Sequence, residues 1–245
     1  MINVETSSPV RAADLIVISA AAMKGAFESV PARFFAATGI HVSFQFGTAG
    51  FIRDKATSGA AFDLAVIPPA PLGALVKAGL VRDGTITALG VVRLAAAVRS
   101  GTPHPMIATV GQFKAALLAA PSLGIADPAS GATSGIYLDT MFDTLGIGAE
   151  LRAKLKLYPE GQTAMEAAVR GEVALGLGQM CEIVPVVGVE IVGTIPEELQ
   201  LLTAYCAGLA AHSPHLDAAR ALLECLAGSP QAAEFVRNGF ELPAL

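Results

Sequence analysis

Residues 15–39 read LIVISAAAMKGAFESVPARFFAATG. The first four are an apolar, largely β-branched run, the pattern of a buried strand. Small residues follow from Ser19 to Ala22, and Lys24 then opens a stretch with helical spacing that Gly39 stops. A strand running through small side chains into a helix leaves unpaired backbone N–H groups at the strand's mouth, where an anion can approach closely. The same pattern also serves a plain strand-to-helix turn that needs small side chains for packing.

Outward from this unit, strand and helix signals keep alternating. Strands are predicted at 40–46, 62–68, 91–98 (VVRLAAAV), 123–127, 172–178, 188–196 and 201–211. Helices are predicted from GTAG at 47–50 to Ser58, over 69–80, 108–120, 136–146 and 161–171, and in two closing stretches, 213–228 and 229–240. Thr109 is placed to cap the 108–120 helix. This order predicts an α/β fold with largely parallel sheets covered on both faces. No repeat or flexible linker divides the chain, so strands are expected to cross between lobes, with the ligand in the cleft between them.

The bulk composition narrows the function. The 245 residues are 53% hydrophobic and 15% charged, with a mean hydropathy of +0.58 and a net charge of −5. No apolar run is long enough to cross a bilayer, so no direct membrane insertion is expected. No basic tract or basic-aromatic patch points to nucleic acid. Cys181, Cys206 and Cys225 are an odd, widely spaced set, which reads as apolar thiols rather than a disulfide framework. His212 and His215 flank a proline in AHSPHLD, and no third ligand accompanies them, so no metal is expected. Nothing in the sequence calls for a cofactor. The opening MINVETSSPVRAAD has no signal-type apolar region. That suits a cytoplasmic chain starting at Met1, and equally a periplasmic one whose leader was removed.

Five segments in order carry a resemblance: IVISAAAMKGAF (16–27), SGAAFDLAVIPP (58–69), LGIADPASGATSGIYLDTMFDTLG (123–146), GEVALGLGQMCEI (171–183) and GSPQAAEFVRNGF (228–240). Together they resemble the periplasmic molybdate-binding proteins of the type II solute-binding class, over about Leu15 to Phe240. The resemblance implies two α/β lobes joined by two crossing strands. Residues 14–94 and 203–245 would form the first lobe and 95–202 the second, clasping a small anionic ligand by hinge closure. It also implies an ABC-transporter membrane component as partner if the chain is exported.

The site positions depart from that family's pattern. Its first-loop serine falls at Ala22, with Ser19 three residues earlier. Its run of serines is GTAG here, leaving Thr48 beside Ala49, and a tyrosine of its second lobe falls at Gln179. The GATSG loop adds Thr133 and Ser134. A buried dianion needs its lost hydration replaced, and each missing donor costs about 1–3 kcal/mol. The thinned hydroxyl cage argues against molybdate or tungstate. Lys24 and Arg53 suit carboxylates instead, Arg through two parallel hydrogen bonds. The expected ligand is therefore a small organic acid with one to three carboxylates. The expected contacts are Ser19, Ala20, Ala22, Lys24, Thr48, Ala49, Arg53, Thr133, Ser134 and Gln179.

Each position also has a plainer reading. Lys24 and Arg53 could face solvent, and Thr133 and Ser134 could cap a helix. Asp63 and Asp127 read as structural carboxylates. A binding protein is the first reading of function. The alternative is a cofactor-free isomerase of a small unsaturated carboxylate, aconitate isomerase-like, since proteins resembling this family include isomerases of aconitate. Its candidate proton carriers are Lys24, Glu160 and Glu182.

Overall fold

The computed structural model describes residues 14–243; the opening segment read for a leader, residues 1–13, lies outside them. In chain order the first half holds β1 (Leu15–Ala20), α1 (Lys24–Phe27), α2 (Val30–Thr38), β2 (Val42–Gly47), α3 (Ala49–Thr57), β3 (Leu64–Ile67), α4 (Pro69–Lys77), β4 (Thr87–Val92), β5 (Leu94–Arg99), α5 (Val110–Ala119) and β6 (Leu123–Ala126). Then follow α6 (Thr133–Thr144), α7 (Gly148–Arg152), β7 (Leu155–Tyr158), α8 (Gly161–Val169), β8 (Leu175–Gln179), α9 (Met180–Ile183), β9 (Val189–Thr194), β10 (Thr203–Leu209), α10 (Leu216–Ala227), α11 (Ser229–Arg237) and β11 (Phe240–Glu241).

The strands form two sheets, one ordered β11-β4-β10-β3-β1-β2 and the other β7-β6-β8-β5-β9. This is the two-lobed α/β architecture expected. The sheets are mixed, however, not mainly parallel. β1 pairs in parallel with β2 and β3, and β6 with β7 and β8. The pairings of β10, β4, β11, β5 and β9 are antiparallel. The cause is the crossing. Strands that pass between lobes enter the second sheet or return to the first against the direction of its βαβ units.

The run VVRLAAAV is not one strand. It breaks at Arg93, with β4 in the first sheet and β5 in the second. The Arg93 guanidinium holds Glu241 and Glu197, each at 2.6 Å, and Met180 N donates to the Arg93 carbonyl at 2.9 Å. β7 was not anticipated, because LKLY is a half-exposed edge strand with Lys156 between its leucines. α7 is a single short turn and was also missed. The last predicted helix stops at Arg237, and Phe240 instead pairs with Val92 as β11.

Each sheet has its own core. Phe27, Leu64, Ile67, Leu72 and Phe235 belong to the first, and Phe113, Leu123, Leu138, Phe142 and Leu177 to the second. In the first lobe Phe27, Phe235, Phe240 and Tyr205 form a chain of aromatic contacts with centroids 5.4–6.1 Å apart. Edge-on packing of this kind fixes ring positions. Cys181, Cys206 and Cys225 are free thiols. Among the described residues no helix is long and apolar enough to cross a membrane, and no group of three or more metal-ligating side chains comes together.

Asp63 is structural. One carboxylate oxygen accepts from Ile16 N at 2.7 Å and the other from Ser213 Oγ at 2.6 Å, tying β1 to the segment after β10. Asp63→Ala leaves both part-buried donors without their acceptor, so a stability loss of about 1–2 kcal/mol is expected by urea unfolding. Asp127 caps the turn Pro128–Ser130 by accepting from Ala129 N at 2.9 Å.

Candidate functional site

The two lobes face each other across a cavity of ≈ 30 Å³. It is a small cavity, so a ligand enters when the lobes part and is held when they close.

Three helices of nine residues or more begin at this cavity, bringing Thr48 and Ala49 of α3, Ala132 to Ser134 of α6, and Glu160 and Gly161 of α8. The turn Ala21–Met23 after β1 presents Ala20, Ala21 and Ala22. At α6 the N-cap is Ala132, which has no side-chain oxygen to offer, so the first amides of α6 remain available to a ligand. The positive helix ends and small side chains make the cleft suited to an anion.

Contacts across the cleft draw the lobes together. Lys24 Nζ lies 2.6 Å from Glu160 Oε2, and Thr48 Oγ1 donates to the Ser130 carbonyl. Gly50 N donates to Gly131 O at 3.2 Å. At the floor, Tyr205 Oη donates to Gln179 Oε1 at 2.7 Å.

Glu182 sits between these groups with only 8% exposure. Its carboxylate accepts from Gly161 N at 3.2 Å and from Gln179 N at 3.1 Å. Burial pushes its carboxyl up to about 7, against the pull of those two amides; Glu160 adds to the rise and Lys24 opposes it. A side chain at Gly161 would collide with Glu182, since an added Cβ there lies 2.1 Å from Oε2. The glycine is what lets the carboxylate lie against the start of α8.

A family model described as bacterial extracellular solute-binding protein matches residues 15–241. The chain belongs to this solute-binding family. A curated relative, the aconitate isomerase of a Pseudomonas species, is 31% identical over 96% of this chain and 92% of its own length. The fold is similar to the Azotobacter vinelandii periplasmic molybdate-binding protein, with TM-score 0.79 and 18% identity, covering 94% of this chain and all of that one. It is also similar to the sulfate-binding protein SubI of Mycobacterium tuberculosis, with TM-score 0.71 and 17% identity, covering 94% of this chain and 87% of that one.

Within this solute-binding fold, Ala20, Ala22, Thr48, Ala49, Thr133, Ser134, Gln179, Glu160 and Glu182 all line the cavity. Lys24 reaches it through Glu160. Two predicted contacts do not arrive. Ser19 is fully buried in β1 and its hydroxyl donates to the Ala20 carbonyl, so it faces the core. Arg53 is half-exposed and pairs with its neighbour Asp54 at 2.7 Å, a full turn beyond the start of α3. Arg53→Ala is therefore expected to change ligand affinity by less than twofold, read by titration calorimetry. Gly47, Ala132, Gly161 and Tyr205 line the cavity but were not read from the sequence. Tyr205 lies in the largely apolar strand TAYCAGL, which also opens with Thr203, so its hydroxyl gives no site signal in the sequence.

Proposed function

We propose that this chain clasps a small unsaturated polycarboxylate between its lobes and shifts a double bond in it by proton transfer. The observation that carries this reading is Glu182, a buried carboxyl group pushed up to about 7 at a cleft where three helices begin and whose other carboxylate, Glu160, is paired with Lys24. A carboxylate facing an anionic ligand weakens binding unless it is protonated or handles a proton. A group titrating near the working pH is matched to that task. The aconitate isomerase relative supports the same reading.

The chemistry needs no cofactor. A base takes a proton from the methylene carbon between a carboxylate and the double bond. The electron pair spreads over the allylic system and its carboxylates, near the α3 and α6 helix starts. The proton is then returned at the far carbon and the double bond moves. Glu182 is suited to take and return the proton. The Lys24–Glu160 pair is suited to hold a carboxylate and keep the lobes closed.

Delivery of the anion to an ABC-transporter membrane component is the second reading. Membership of the solute-binding family favours it, as do the contacts that span the cleft. Proton NMR of the protein with cis-aconitate in deuterated water separates the two. Growth of trans-aconitate with deuterium at carbon is expected. Saturable binding with neither signal would overturn the isomerase reading and leave the receptor.

A further inference from the structure

We infer that Tyr205 is a positioning residue: by holding the carbonyl end of the Gln179 amide, it turns the NH2 end toward the ligand. This rests on the reading that a carboxylate occupies the cleft. Both residues line the cavity and are at least 97% buried. Tyr205 Oη donates to Gln179 Oε1 at 2.7 Å, and Cys181 Sγ approaches the same oxygen at 3.8 Å. Burial pushes both groups' titration upward, so each keeps its proton and stays a donor. With these donors on its oxygen, beside the capping contact of the Gln179 side chain with the Glu182 backbone at the start of α9, the amide's remaining end is the nitrogen, which only donates.

The placement has a chemical reason. Glu182 follows Gln179 by three residues and accepts from its backbone N–H. A lysine or arginine at 179 would grip a carboxylate harder, but its charge would pull the Glu182 carboxyl down and spoil it as a proton carrier. An amide donates without charge. It must, however, be oriented, because an amide turned the other way presents oxygen to an anion.

Location makes the orientation durable. Gln179 pairs with Leu94, the first residue of β5, and the next amide, Met180 N, donates to Arg93 O. Tyr205, in the other sheet, pairs with Gly90 of β4. The hydrogen bond thus joins the lobes close to where β4 passes into β5. Parting of the lobes displaces atoms least there, so the amide is already set when a ligand arrives.

The test uses Tyr205→Phe, which keeps the aromatic packing on Phe240, and Gln179→Glu, which keeps the acceptor but removes the donor. The first readout needs no ligand: the Gln179 side-chain amide resonances, identified as the pair missing in Gln179→Leu. In Tyr205→Phe they are expected to move and to exchange with solvent at least fivefold faster. The second is calorimetry and turnover with trans-aconitate. Tyr205→Phe is expected to raise Kd and KM about tenfold with kcat within threefold, and Gln179→Glu to lose at least a hundredfold in affinity. Unchanged resonances, or a Gln179→Glu protein that binds normally, would overturn the inference. If the unmodified protein binds neither aconitate isomer, the polycarboxylate reading fails, and the resonances alone decide whether Tyr205 orients Gln179.

Discussion

Glu182→Gln is expected to lower the interconversion of cis- and trans-aconitate by about 10²–10⁴-fold, the usual contribution of a positioned proton carrier. The substitution keeps the side chain's size, and its amide oxygen can still accept one of the two N–H groups, from Gly161 or Gln179, that hold the carboxylate now. Binding should survive within tenfold, or improve, because a negative charge leaves an anion's cleft. Turnover within threefold of the unmodified protein would remove Glu182 from the chemistry. A second measurement is independent of any ligand. The carboxyl titrates near 7 in the folded chain and near 4.5 when exposed, so between those values the folded state binds a proton that the unfolded state does not. Stability from this group is therefore full below about pH 4.5 and declines as pH rises to about 7, by about 3 kcal/mol. Denaturant unfolding across that window should show the decline in the unmodified protein and a flatter profile in Glu182→Gln.

Gly50→Ala is expected to leave the fold intact and weaken ligand binding at least tenfold. Gly50 is the second residue of α3, and its N–H donates to Gly131 O across the cleft. A Cβ there would lie 2.9 Å from Gly131 Cα and 3.3 Å from the Ser130 carbonyl, both backbone, so neither can swing aside. Gly131 has φ +75°, which itself favours glycine. Within α3 alone, alanine is the better helix former by about 1 kcal/mol. The two effects have opposite signs in two experiments. Thermal stability without ligand should hold or rise, while calorimetric affinity falls because closure is blocked. Small-angle scattering should show the variant staying more open in saturating ligand. Unchanged affinity would mean that α3 and the 130–131 loop need not meet for binding.

Much of this was legible in residues 15–39 and in the loop before α6, because small residues and hydroxyls at a strand's end announce a close approach whatever surrounds them. Ala20, Thr48, Thr133 and Ser134, which line the cavity, stand out that way, whereas Ala22 and Gln179 come from the family resemblance. Direction was harder to read. Ser19 follows four apolar residues in β1, and burial across both faces of that strand hides which side chains reach the mouth. The charge of Arg53 suggests a clamp, yet the residue stands four positions past the start of α3, about 6 Å further from the helix end. Tyr205 belongs to a strand whose apolar neighbours signal only core, and its role follows from which strand of the other lobe ends beside it. The crossing at Arg93 was hidden for a related reason. Apolar residues continue on both sides of it, and a single charge in a strand does not reveal that the sheet changes there.

The chain crosses between the two sheets at Arg93 and again between β9 and β10, and a swing of the lobes about these crossings would open the cleft in an order. Two sheets swinging about one end behave as the jaws of a hinge, and travel grows with the length of the lever arm. In such a swing the bonds from the α3 start to the Ser130–Gly131 loop would yield first, and the Tyr205–Gln179 bond, beside the crossing at Arg93, last. A bound molecule would thus lose its outer contacts while the inner end is still held, and would leave by pivoting outward. On this geometry, cutting the α3–loop contacts would shorten residence, whereas altering Tyr205 or Gln179 would change what is recognised.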